Sequence, residues 1–429
     1  MAIIWDAAQL PVVVERLANG LTLIVHVEPK SPIAAVYVGY RAGSRYEPKS
    51  KAGLAHLSEH LMFSGTKNNP GSYFASFEQA GAMWMNAFVR EDYSAYFATV
   101  PNAALDFAMS MEADRMANLI DVLQDARVER QREVVVNEIY QRESQPYGCA
   151  SRILAELAHP AGHPYGHPPD GLVAELRDIS ADDVRGWIGS RHVPEMATLI
   201  VAGDVDPADV ISKAQRHFGL LAGSPAPRPA SFPAYSAVAS RRQIELPVRN
   251  SRLCIAWSGP IYDCPDYPAL EFACEILGGG KGSRLGRRII QSEHLASDVS
   301  VEMRPRELAA QATVSVTALR GVPLNEIERR IRREIERLSA EGPEPSELEV
   351  ARLRLFGKMV RGFERVGGPQ SKSDALGLAT MVGAAPASHD RRLSMLATMR
   401  SDLVARASHW LAGTGAVLEM RPITERNGI

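Results

Sequence analysis

Residues 55–65 read AHLSEHLMFSG and residues 270–280 read LEFACEILGGG. With Gly65 laid on Gly280 they are one helix-to-glycine passage written twice, and the surroundings repeat as well. LTLIVHVEP (21–29) and IAAVYVGYRAGS (33–44) are apolar and β-branched, and read as strands. DYSAYFATV (92–100) alternates polar and apolar residues, which suits a strand with one wet face. Helical stretches at 103–119 and 125–143 follow, then a strand at 196–205 and a helix begun by Pro207. After AGSPAPRPASFPAYSAV (222–238), which has little to bury, the order returns. Strands are expected at 241–248 and 251–260, a helix at 268–280, and strands at 294–305 and 309–319. Long helices come next, one opened by a capping-box pattern at Ser346 and Glu349, and the last strand is 415–423. The expected fold class is α+β. Two homologous units, 1–221 and 239–429, each form a mainly antiparallel sheet with helices packed on one side, joined by the linker 222–238.

Composition narrows the function. The chain has 429 residues, more than one core usually serves. Its 48 Lys+Arg against 50 Asp+Glu give no electrostatic reason to expect nucleic acid or an anionic membrane as partner. Four cysteines without a CxxC pair read as reduced thiols in a cytoplasmic protein. The N-terminus, interrupted by Asp6 and Glu15, does not read as a signal peptide, and no stretch approaches the roughly 20 apolar residues of a membrane helix.

Within the first passage lies His56-Leu57-Ser58-Glu59-His60. On a helix, residues four apart lie about 40° apart around the axis, so both imidazoles can reach one point, with Glu59 near the same face. A catalytic zinc takes three protein ligands, so a third must come from elsewhere. A histidine pair can also simply face solvent. Chance placement of 11 histidines puts such a motif in roughly 2% of chains this long, so the pattern carries a signal. The flanking Leu54, Leu57, Leu61, Met62 and Phe63 further argue for burial, where two imidazoles and a carboxylate without a partner are costly.

The His56-x-x-Glu59-His60 motif, with ERQREVVVNEIYQRESQPYG downstream, resembles the pitrilysin family of inverted-motif zinc peptidases. The likeness covers nearly the whole chain and is nearest to the short, two-unit members similar to mitochondrial processing peptidase. It implies a zinc peptidase acting on peptides or unfolded segments, with zinc on His56, His60 and Glu138. Glu138 lies 78 residues after His60 in the family's helix pattern, whereas the competing Glu133 falls five residues early. Glu59 would be the general base. The resemblance also implies that an exposed strand edge at Asn86 and Ala87 contacts the substrate backbone.

Two positions depart from the family. Gln131 stands where a further glutamate is common, and its amide can still hydrogen-bond in support of the ligands. More consequentially, the Arg and Tyr that the silent half usually supplies fall on Ile290 and Ser297, and all twelve tyrosines lie at or before Tyr267. Losing an oxyanion-type donor costs on the order of 10²–10³ in rate. The implied partner is therefore a homologous subunit that supplies the pair, in a heterodimer. A noncatalytic scaffold subunit is the alternative.

Other motifs carry less. In the second copy Glu271, Cys274 and Glu275 replace the histidines and the acid. His159, His163 and His167 recur every four residues, but Pro160, Pro164 and Pro168 forbid an ordinary helix, so a rigid loop is expected rather than a second metal site. GGGKGSRL (278–285) lacks the ordered phosphate-loop pattern and reads as a turn.

Overall fold

The computed structural model describes residues 10–223, 239–385 and 388–423. Residues 224–238 of the expected linker lie outside them. Two sheets form. The first comprises β1 (Val13–Arg16), β2 (Thr22–Val27), β3 (Ile33–Tyr40), β4 (Trp84–Val89), β5 (Ser94–Pro101) and β6 (Ala197–Gly203), in the order β1-β2-β6-β3-β5-β4. The second comprises β7 (Ser240–Leu246), β8 (Arg252–Ser258), β9 (Ala296–Arg304), β10 (Gln311–Ala318) and β11 (Ala416–Pro422), in the order β7-β11-β8-β10-β9. With β1 set aside the two orders are the same. Each sheet has one parallel pair, β2 with β6 and β7 with β11, and is otherwise antiparallel. The α+β class and the doubled architecture are as expected.

The first sheet's main core lies on the face of Val36, Val38 and Tyr40. Helices Leu54–Leu61, Leu105–Asn118, Asp125–Glu143, Ala181–Arg191 and Pro207–Phe218 bring Leu57, Met109, Val136, Ile188 and Phe218 to it. The wet face expected for residues 92–100 is absent. Every residue of β5 but the last is buried, because chain from much later covers the opposite face. Val366 packs on Ala35 and Ala202. Helix Lys372–Met381 lies against β3 and β6, so closely that a Cβ on Gly377 would sit 2.4 Å from Tyr37 Cζ. The second sheet shows the converse. Helix Ala150–Ala158 covers Cys254, Ala256, Leu418 and Met420 with Ile153, Leu154 and Leu157.

The compact units are thus interleaved along the chain. The first holds the chain up to Ile139, the stretch from His167 to the linker, and Met359–Leu393; the second holds the remainder. Alternation within one strand could not announce this cover, because its residues lie hundreds of positions away. A smaller correction concerns helix Pro345–Phe363. Ser346 lies inside its first turn, and the reach-back is made by Glu347, whose Oε2 accepts from the Glu344 N–H at 3.1 Å.

Candidate metal centre

Helix Leu54–Leu61 begins at Gly53, whose φ of 107° suits glycine. Leu54, Ala55, Leu57 and Leu61 are buried, which turns His56 and His60 toward helix Asp125–Glu143. On that second helix Val128, Val135, Val136 and Ile139 enter the core. Gln131 and Glu138, two turns apart, share another face. His60 Nε2 lies 3.3 Å from Glu138 Oε2 and His56 Nε2 lies 3.7 Å from the same oxygen. Among the described residues these three form the only cluster whose ligand atoms all lie within 4.8 Å of one another. Glu133, the competing candidate, is exposed and outside it.

Each imidazole is oriented from behind. His56 Nδ1–H donates to the Asp170 carbonyl at 3.1 Å, which in the neutral ring makes Nε2, the nitrogen facing Glu138, the one that carries a lone pair. Asp170 reaches that place because Gly171 packs on Gly53, where an added Cβ would stand 2.3 Å from the Gly53 Cα. His60 is hydrogen-bonded by Gln131 as well as by Glu138. Burial lowers the His60 pKa, against the opposing pull of Glu138 and Gln131, and so favours the neutral ring that a metal requires.

Glu59 sits beside the cluster. Burial pushes its carboxyl up to about 8, and the negative charge of Glu138 adds to the effect.

Zinc fits these residues. Two imidazole nitrogens and one carboxylate oxygen are a donor set of catalytic zinc sites. Tetrahedral bonds of about 2.0–2.1 Å place ligand atoms roughly 3.3–3.4 Å apart, near the separations seen here.

A further residue supports the helix from its N-terminus. Glu47 is buried; its Oε1 accepts from the Gly53 N–H at 3.1 Å and the Ala55 N–H at 2.8 Å, and its Oε2 meets His167 Nε2 at 2.9 Å. It satisfies two of the amides that a helix start leaves unpaired. His167 thus serves helix Leu54–Leu61, while His159 and His163 stack on each other with ring centroids 5.0 Å apart. Sequence reasoning missed Glu47, and its one local signal was an acid a few residues ahead of the helix.

Asn86 and Ala87 lie on β4, the outer strand of the first sheet, beside helix Leu54–Leu61. Their side chains take opposite faces, Ala87 toward the core and Asn86 outward. The Ala87 N–H donates to Asn86 Oδ1 at 2.8 Å.

The second unit answers the same positions differently. On helix Asp266–Gly278, Glu275 is held by Arg354 Nε and Lys358 Nζ, each at 2.6 Å, so two fixed cations stand where the first unit gathers ligands. Cys274, in the place of Glu59, is a thiol pushed up to about 12 by burial and by the charges of Glu271 and Glu275. Ile290 lies in the π-helical stretch Gly286–Ser292, and Ser297 is on β9, where its hydroxyl donates to the Thr317 carbonyl at 3.3 Å.

Two family descriptions match the chain: "Insulinase (Peptidase family M16)" over residues 23–162, which contain the cluster, and "Peptidase M16 inactive domain" over residues 178–355. The chain belongs to peptidase family M16. Subunit 1 of the mitochondrial cytochrome b-c1 complex of Bos taurus is 27% identical over 271 residues, 62% of this chain and 55% of that protein. Zinc protease PqqE of Helicobacter pylori is 27% identical over 290 residues, 66% of this chain and 64% of its own. This M16 chain therefore matches somewhat under two thirds of either relative's length. A solved protease from Helicobacter pylori shares the fold at a TM-score of 0.87 and 22% identity, covering 96% of this chain and all of that one. No helix among the described residues is long and apolar enough to cross a membrane.

Proposed function

We propose that the protein is a zinc metallopeptidase hydrolysing peptides or unfolded segments, and the convergence of His56, His60 and Glu138 carries the reading. Those three residues would hold the metal, which supplies Lewis acidity at the scissile carbonyl when bound. Glu59 takes a proton from the attacking water and returns it to the leaving amine. Its burial keeps competing solvent away, and a metal charge nearby counters the effects that raise its pKa. Gln131 and the Asp170 carbonyl hold the two rings in place. An extended substrate would pair with the outer edge of β4 at Asn86 and Ala87, where the Asn86 amide must first release the Ala87 N–H. The duplicated units are 1–221 and 239–429, and the four free cysteines support a reducing, cytoplasmic location.

Ile290 and Ser297 offer no cationic or phenolic donor. The active form is therefore a heterodimer in which a homologous subunit supplies an Arg and a Tyr. The same two residues favour a second reading, a noncatalytic subunit of a larger complex, and the bovine relative is itself named as a subunit of one.

The test is peptide cleavage followed by mass spectrometry on chain whose zinc content has been measured, with Glu59→Gln alongside. Zinc content should be one per chain in both, and cleavage by the lone wild-type chain that falls about 10²–10⁴-fold in the variant would establish the peptidase and overturn the heterodimer. One zinc without cleavage by the lone chain supports the heterodimer; absence of zinc from the purified, zinc-dialysed chain would overturn the metallopeptidase reading.

A further inference from the structure

Residues 167–176 cross the start of helix Leu54–Leu61 and bond to it along their length. At one end His167 Nε2 faces the Ser44 carbonyl at 3.2 Å and Glu47 Oε2 at 2.9 Å. A carbonyl and a carboxylate can only accept, so this nitrogen carries a proton whether the ring is neutral or charged. Further on, the Asp170 carbonyl meets His56 Nδ1. The Leu172 N–H then donates to the Ala52 carbonyl at 3.3 Å, and Glu175 Oε2 accepts from the Ala52 N–H at 2.7 Å. Between these bonds the backbones touch. Gly171 and Gly53 lie against each other, and a Cβ on Gly53 would stand 2.6 Å from Leu176 Cγ.

Two carboxylates thus serve the helix start, Glu47 at the Gly53 and Ala55 amides and Glu175 at the Ala52 amide. Both also act on His167, whereas the neighbouring cations are engaged elsewhere, Lys51 with Asp183 at 2.8 Å and Arg45 with Asp92 at 2.9 Å. Burial would lower the His167 pKa, but Glu47, the Ser44 carbonyl and Glu175 outweigh it and hold it above the ordinary value. The folded pKa therefore exceeds the unfolded one. Its stabilisation is fully present below about pH 6.5 and is lost as pH rises through the folded value. A charge-assisted hydrogen bond is roughly twice as strong as a neutral one, so the neutral ring keeps the weaker share.

We propose that residues 167–176 form a strap that holds His56 in the tautomer able to bind a metal, and that His167 is a positioning residue whose positive charge tightens the strap through Glu47. This rests on the metal-site reading and adds to it a dependence of metal affinity on a group outside the ligand set. His167 anchors one end of the strap and Glu175 the other. Loosening an anchor lets the Asp170 carbonyl leave Nδ1, and the His56 proton can then move to Nε2, where the metal would bind.

The experiment compares the full chain as wild type, His167→Gln and His167→Ala. Zinc affinity is measured by competition with a chromophoric chelator from pH 6 to 9, and amide hydrogen exchange of residues 52–56 and 167–172 is followed by mass spectrometry on the metal-free chain. Glutamine keeps a donor without the charge and should behave as the neutral ring does. Near pH 6 His167→Gln should bind zinc about three- to tenfold more weakly than wild type, and the gap should close toward pH 9. His167→Ala, with no donor, should stay weaker at every pH. In the metal-free wild type, exchange of both segments, corrected for the intrinsic rate, should quicken over the same range; in His167→Gln it should not. A gap between wild type and His167→Gln that is equal at pH 6 and pH 9, or a folded His167→Ala chain that matches wild type throughout, overturns the proposal. A wild-type chain that takes up no zinc sinks the metallopeptidase reading, and exchange in the metal-free chain then decides by itself whether His167 grips the strap.

Discussion

Replacing Glu47 by alanine tests whether the proposed metal ligands depend on the start of their helix. The Glu47 side chain is 1% exposed and joins the Gly53 N–H, the Ala55 N–H and His167. Its removal strands two helix amides in a place water does not reach, at roughly 1–3 kcal/mol each. Part of that is offset, because burial already raises the Glu47 carboxyl against the opposing bonds from His167, Ala55 and Gly53. A net loss of about 2–4 kcal/mol is expected. His56 belongs to the same first turn, so order lost there must be regained when the metal binds. At about 1.4 kcal/mol per tenfold, zinc affinity should fall at least tenfold, read by competition with a chromophoric chelator. The metal-free chain should also melt at lower temperature by circular dichroism. Glu47→Gln keeps an acceptor for both amides and should lose less than a third as much. A folded Glu47→Ala chain that binds zinc within threefold of wild type would refute the reasoning, because the ligand helix would then not need its cap.

Further outcomes follow from other parts of the site. Glu138→Gln should abolish stoichiometric zinc at submicromolar free metal, on the order of a 10²-fold or greater loss, whereas Glu133→Gln should leave it unchanged; elemental analysis after dialysis separates them. Asp114 gathers bonds from Asn68 at 2.7 Å, Asn69 at 2.8 Å and Asn118 at 2.7 Å, besides the Thr66 hydroxyl, and so ties down the loop after the metal helix. Burial alone would raise its carboxyl, but the bonds from Thr66, Asn69, Asn118 and Asn68 outweigh that and hold it below the ordinary value. Its folded pKa is therefore below the unfolded one, so the stabilisation is present above about pH 4 and is lost as pH falls through the folded value. The melting-temperature gap between wild type and Asp114→Asn should close over that range; a gap that stays constant into strong acid would contradict the assignment.

Much of this molecule can be read one segment at a time. The four-residue spacing of His56 and His60 has meaning on any helix, and so does the seven-residue spacing of Gln131 and Glu138, because both follow from 3.6 residues per turn. Most of the strands likewise declare themselves by runs of β-branched residues, and the repeat of their order announces a doubled architecture. Two are exceptions: β1, four exposed residues, goes unannounced, and β4 enters only through the family resemblance at Asn86 and Ala87.

What the segments do not contain is their mutual placement. Periodicity alone does not choose Glu138 over Glu133, since both are helical acids; packing of Val135 and Val136 turns the first toward the histidines and leaves the second exposed. The Asp170 carbonyl behind His56 and the Glu47–His167 pair join positions more than a hundred residues apart. The second face of β5 is dry because residues beyond 359 return to cover it. Local sequence determined the helices and strands and which chemical groups they carry. Only the tertiary structure decided which of those groups meet, because a contact between distant residues depends on the packing of everything that holds their backbones in place.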